Sequence, residues 1–100
     1  MAAYVIVDVD VTDPVTYAEY IKQSPASIAE FGGRFLVRAG RTETLEGDWQ
    51  PKRLVMLEFE RVEQAKAWWS SEQYRGPKAL RQSASRANMI VVEGATPADR

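Results

Sequence analysis

The sequence predicts a single α+β domain in which a four-stranded antiparallel sheet carries its helices on one face. Three observations lead there. Four segments rich in β-branched and aromatic residues alternate from position to position, as half-buried strands do. Between the first and second of them, and between the third and fourth, the apolar spacing lengthens to that of a helix. The chain has 100 residues, 45% of them hydrophobic, which suits one domain with a core that needs no staples.

From Ala3 to Val11, Val5, Val7, Val9 and Val11 fall on one side and Tyr4, Ile6, Asp8 and Asp10 on the other, the mark of a strand. Thr12-Asp13-Pro14 opens a helix. Asp13 is placed to accept from free backbone N–H groups, and Pro14 is tolerated in the first turn. Tyr17, Tyr20, Ile21, Ser24, Ile28 and Phe31 follow a helical spacing, with Pro25 expected to kink or split the helix. Gly32-Gly33 allows a left-handed end.

A second strand runs from Arg34 to Arg38, and Glu46-Gly47-Asp48-Trp49-Gln50-Pro51 is turn chemistry. The third strand covers Arg53 to Glu60. Val62, Ala65, Trp68 and Trp69 mark a second helix, in which the two tryptophans cannot both face the core. Ser70-Ser71 is a break, Gly76-Pro77 a second break before a short helix through Leu80 and Ala84, and the last strand is Ala87 to Glu93. Residues 1–94 form the domain and 95–100 a frayed tail. The order β-α-β-β-α-β is the split βαβ, ferredoxin-like sandwich, with the first and third strands at the centre of the sheet.

Composition removes whole classes of chemistry. There is no cysteine, so no disulfide, thiolate nucleophile or cysteine metal site can form. There is no histidine, hence no Ser-His triad, zinc triad or proximal haem ligand. Thirteen basic residues balance fourteen acidic ones without a basic stripe, which argues against a nucleic-acid or anionic-membrane partner. The N-terminus reads neither as a signal peptide nor as a membrane span. A cytoplasmic protein with no metal and no cofactor is expected.

One sheet face is almost wholly apolar: Val5, Val7, Val9, Phe35, Val37, Val55, Leu57 and Phe59. Burying such a side chain contributes about 1.5–3 kcal/mol, so this face lies under the helices. The other shows Tyr4, Ile6, Asp8, Asp10, Leu36, Arg38, Leu54, Met56 and Glu58. An apolar patch of that extent needs a cover, and with the helices already used the candidate is a second copy packed face to face. Asp8, Arg38 and Glu58 would then lie between two sheets, where charges must be paired or wet. Two readings stay open: Arg38 neutralises a carboxylate within the dimer, or the three build a pocket with a carboxylate base and an arginine that holds an anionic or enolate-like ligand. Asp8 and Asp10, about 7 Å apart on one face, could serve a paired-carboxylate mechanism or a hard cation, but read first as solvated acids. Trp49, in the turn, folds back on its own domain, reaches a partner or lids a pocket.

Several spaced motifs resemble a known family. They are Ala3-Tyr4-Val5-Ile6, the Thr12-Asp13-Pro14 helix start with Tyr17-Ala18-Glu19-Tyr20, Gly32-Gly33-Arg34-Phe35-Leu36-Val37-Arg38, Leu45-Glu46-Gly47-Asp48-Trp49, Glu58-Phe59, Ala65-Lys66-Ala67-Trp68-Trp69, Ser71-Glu72-Gln73-Tyr74 and Lys78-Ala79-Leu80-Arg81. Together they resemble the small bacterial proteins of domain-of-unknown-function family 1330, over nearly the whole chain. Gly76-Pro77 departs from the family's more usual continuous helix. The resemblance implies a dimeric α+β barrel and no settled activity. Relatives in that superfamily include cofactor-free monooxygenases, muconolactone-type isomerases and haem enzymes, the last disfavoured by the missing histidine.

The leading expectation is therefore a homodimer that binds a small organic molecule, in the barrel or between sheet and helices, and carries out proton transfer or cofactor-independent oxidation. Asp8 or Glu58 would be the base, Arg38 the anion-stabilising group, and Trp49 or Tyr20 the pocket wall. The alternative is a non-catalytic dimeric binding or assembly module in which the same charges set the dimer register.

Overall fold

The β-branched residues that alternate from Ala3 form strand β1 (Ala3–Val11), and Ala3, Val5, Val7 and Val9 are buried in turn along one side of it. In the computed structural model, which describes residues 1–96, the chain continues through α1 (Pro14–Glu30), β2 (Arg34–Arg38), β3 (Arg53–Phe59), α2 (Val62–Trp69), α3 (Glu72–Ala84) and β4 (Ser85–Glu93). The strands lie in the order β2-β3-β1-β4 with every neighbouring pair antiparallel. This is the expected ferredoxin-like α+β fold, with the second helical segment divided at Ser70-Ser71. The expected tail lies mostly outside the described residues, and among those described no helix is long and apolar enough to cross a membrane.

Local chemistry accounts for the helix ends. The Asp13 side chain accepts from the Thr16 N–H at 3.2 Å and from its hydroxyl at 2.7 Å, closing the first turn of α1. At the other end Gly33 N–H donates to Ile28 O and Gly32 N–H to Ala29 O, the paired bonds of a Schellman cap, with Gly32 at φ +76°. Gly33 is required for space as well: a Cβ there would lie 2.5 Å from the Phe59 ring. Lys78 closes α2 by donating to Trp69 O at 2.9 Å while its ammonium sits over the Trp69 ring.

Two expected helix breaks are absent. Pro25 lies inside a continuous α1, and Gly76-Pro77 inside a continuous α3. A proline removes one N–H, which orphans the carbonyl four residues back. For Pro25 that carbonyl is Ile21 O, and Arg38 Nη2 donates to it at 3.1 Å. An arginine from the sheet thus supplies the bond that the proline cannot make.

The sheet's second strand corrects the expected faces. Phe35 pairs with Leu57 but Val37 pairs with Met56, so Leu36 is the extra residue of a β-bulge. The bulge shifts the alternation by one. Val37 joins the bare face beside Met56, while Arg38, opposite Val55, turns to the helix side. The core between sheet and helices holds Val5, Val7, Val9, Leu57, Phe59, Ile28, Trp68 and Tyr74. Trp68 is fully buried there and Trp69 is 44% exposed, which resolves the tryptophan pair as the sequence required.

Candidate functional site

The bulge in β2 separates the residues that the sequence grouped. Asp8 and Glu58 remain on the bare face of the sheet, and Arg38 stands on the other side of it, against α1. The three do not form one constellation. Each carboxylate has its own partners instead. Asp8 accepts from the Trp49 indole N–H at 2.9 Å and from the Lys52 backbone N–H at 3.1 Å, which pins the long connection between β2 and β3 to the sheet. Trp49 therefore folds back on its own domain, with 60% of its surface still exposed. Glu58 accepts from Arg34 at one oxygen, Oε1, with Nε at 2.7 Å and Nη2 at 2.6 Å, a cross-strand ion pair. Asp10 is exposed, and no three carboxylates among the described residues converge to hold a metal ion.

Polar groups gather on the covered side. The Tyr20 and Tyr74 hydroxyls are 2.9 Å apart, and Arg81 Nε donates to the Tyr74 oxygen at 3.2 Å. Only 6% of Arg81 is exposed. Burial, and then the neighbouring Tyr74, push the Tyr20 hydroxyl far above the ordinary tyrosine range, so it stays protonated at neutral pH and acts as a neutral hydrogen-bonding group. Arg53, opposite Val9 in the sheet, reaches over the Tyr17 ring and leaves its buried Nε without a partner. Tyr20, Arg38, Arg53 and Arg81 together line a small inner cavity beneath α1.

Arg81 also lines a much larger space. A solvent-open groove of about 600 Å³ runs between α2, α3 and β4, walled by Val5, Trp68, Trp69, Met89 and Val91, with Lys66 also lining it. That volume is within the range of small-molecule sites, and mainly apolar walls with a few fixed polar groups are the usual make-up of one.

The sequence matches the family described as domain of unknown function (DUF1330) over residues 2–95. The chain belongs to that family. No curated protein matches this DUF1330 protein. Among solved structures it is similar to RPA0582, a protein of unknown function from Rhodopseudomonas palustris, with a TM-score of 0.77 and 17% identity over 96% of this chain and 84% of that one. It is also similar to SnoaB, a cofactor-independent oxygenase from Streptomyces nogalater, with a TM-score of 0.64 and 9% identity over 95% and 94% of the two chains. At such identities the likeness establishes the fold alone, that of the α+β barrel proteins.

Arg53, Tyr74 and Arg81 of this DUF1330 protein were not singled out by the sequence reading, although each carries a signal. Arg53 shares the parity of Val55, Leu57 and Phe59 and so belongs to the covered face. Tyr74, Pro77, Arg81 and Ala84 are spaced three, four and three apart and form the buried stripe of α3. An arginine within such a stripe is a buried charge, and that was legible before any coordinates.

Proposed function

We propose that this DUF1330 protein is a homodimer that binds a small organic molecule in the groove between α2, α3 and β4. The observation that carries the reading is the junction at Arg81, where a largely apolar groove meets a buried guanidinium and two hydrogen-bonded tyrosines. A core built for stability alone gains little from a charge there, since each buried ion costs several kcal/mol unless it is compensated. The dimer is supported by the bare face of the sheet. Ile6, Val37, Leu54, Met56, Ile90 and Val92 share it by register, and Ile90 is 59% and Val92 43% exposed. No helix covers them, and two copies face to face would. In that assembly Asp8 with Trp49, and Glu58 with Arg34, set the shape and register of the contact.

Turnover of the bound molecule, by proton transfer or by oxidation with dioxygen and no bound cofactor, is the second reading. It is favoured by the fold shared with a cofactor-independent oxygenase. In it Tyr20, which lines the inner cavity and is hydrogen-bonded to Tyr74 behind it, is the hydrogen-bonding wall. Among the described residues no aspartate or glutamate lines the groove or the inner cavity, and the sequence holds no histidine. Asp8 or Glu58 can therefore serve as the base only for a ligand held on the other face, between the two sheets.

Sedimentation together with a thermal-shift screen tests the proposal. The expected results are a species of twice the 11.3 kDa chain mass and a rise in Tm with at least one class of small organic compound. A monomer at micromolar concentration removes the dimer, and a screen in which no compound stabilises the protein removes the binding role.

A further inference from the structure

Among the described residues, every charged side chain that lines the groove or the inner cavity is basic: Lys66 and Arg81 in the groove, Arg38, Arg53 and Arg81 in the cavity. Arg38 is occupied by Ile21 O. Arg81 is the deepest of them, 94% shielded from water by its 6% exposure, and it makes no ion pair with any described residue. Its side chain donates to the Tyr74 hydroxyl oxygen, and no carboxylate among the described residues compensates its charge. The Nε of Arg53, which lines the same inner cavity, is buried with no acceptor among the described residues. Guanidinium groups recognise planar anions through two parallel hydrogen bonds, which a lysine at the same place does not reproduce.

We infer that the groove takes an organic anion, a molecule with an aromatic or aliphatic body and one carboxylate or enolate group, and that Arg81 is the residue which holds the charged end. This rests on the groove being the ligand site and names the class of ligand it accepts. The body lies along Trp68, Met89 and Val91. The anionic end meets Arg81 at the inner wall, where Tyr74 fixes the guanidinium through Nε and the Tyr20 hydroxyl completes the hydrogen-bonded row. Lys66, towards the surface on α2, contributes to the approach of the anion and not to its seat.

A pair of probes alike in size and shape but different in charge separates the two levels of the argument. Calorimetric titration with 4-phenylbutyrate and 4-phenylbutyramide is expected to show the acid binding the wild-type protein at least about tenfold more tightly, the ratio a charge-assisted hydrogen bond supplies. Arg81→Met should bring the acid down to the affinity of the amide and leave the amide unchanged, which also reports that the groove is intact. Lys66→Met, an exposed change that the fold tolerates, should keep the preference. Equal binding of acid and amide to the wild type overturns the anion assignment and leaves the groove standing. A preference lost in Lys66→Met overturns Arg81 as the seat without requiring the Arg81 variant to fold. If neither probe binds at millimolar concentration, the groove ceases to be the ligand site and the inference falls with it.

Discussion

The two faces of one sheet differ in how they treat charge. On the bare face the carboxylates Asp8 and Glu58 are each matched to donors within 3.1 Å, and the apolar residues between them, Ile6, Met56 and Ile90, have no helix over them. On the covered face Trp68, Tyr74 and Phe59 pack closely on one another, yet Arg53 and Arg81 carry positive charge that no carboxylate among the described residues answers. Satisfied charge with unsatisfied apolar surface is what a protein interface needs. Satisfied apolar packing with unsatisfied charge is what a ligand site needs. On the proposed function, one sheet divides assembly and recognition between its sides.

The largest effect that tests this division is a pair of substitutions. Trp68 packs on Tyr74 at 4.1 Å and on Phe59 at 5.6 Å between ring centroids, and its indole N–H donates to Ser27 at 3.1 Å. Trp68→Ala is expected to cost about 3–5 kcal/mol in denaturant unfolding, a large share of a small domain's stability. Ile90→Glu on the bare face should leave the circular dichroism of the fold in place while halving the sedimenting mass. Equal loss of structure in both variants would break the comparison, because it would mean that the bare face belongs to the chain's own core.

The covered face makes a second prediction, at alkaline pH. Tyr20 is held neutral by burial, so its hydroxyl keeps its proton in the folded protein well above the pH at which the unfolded chain releases it. A folded-state value raised in this way gives stability that is whole below the ordinary tyrosine range and is lost as pH rises through and beyond it. Ultraviolet titration of tyrosinate should therefore find Tyr20 silent until the protein unfolds, and Tyr20→Phe should flatten the alkaline loss of stability. A Tyr20 that titrates in the ordinary tyrosine range while the protein is folded would mean that water reaches the inner cavity freely.

Much of the division was legible in the sequence. Alternation in β1 and β3 assigned the faces, and the apolar bare face with its Asp8 and Glu58 followed from parity alone. Arg38 did not follow, because a bulge at Leu36 leaves no compositional mark: Phe35-Leu36-Val37 reads equally well with or without the shift. The two prolines misled in the same way. The propensity against Pro25 is real, but its effect depends on whether a donor reaches Ile21 O, and that donor comes from the sheet, Arg38. The connection bearing Trp49 carries turn residues and no period, so its fold back onto Asp8 depends on a hydrogen bond across 41 positions that only the tertiary structure brings together. Arg81 was missed because a break read at Gly76-Pro77 divides the stripe of Tyr74, Pro77, Arg81 and Ala84 that marks it as buried. Even the whole stripe could not show that no carboxylate among the described residues pairs with it.

The smallest effect comes from outside both faces, at the start of α1. Among the described residues no carboxylate lines either cavity, so acid should act on this protein at its periphery first. The Asp13 carboxylate caps the helix, and the hydrogen bonds from the Thr16 hydroxyl and N–H hold its pKa below the ordinary value of 3.8. A lowered folded-state value means that the unfolded chain binds the proton more readily. The stabilisation is therefore present above the unfolded value and disappears as pH falls through the folded one. Asp13→Asn retains a capping side chain but not the charge. It should be slightly less stable than the wild type near neutral pH and indistinguishable from it once both side chains are neutral. Thermal melts of the two across the acid range measure the difference, and one that persists at the acid end would assign the effect to hydrogen-bond geometry rather than to charge.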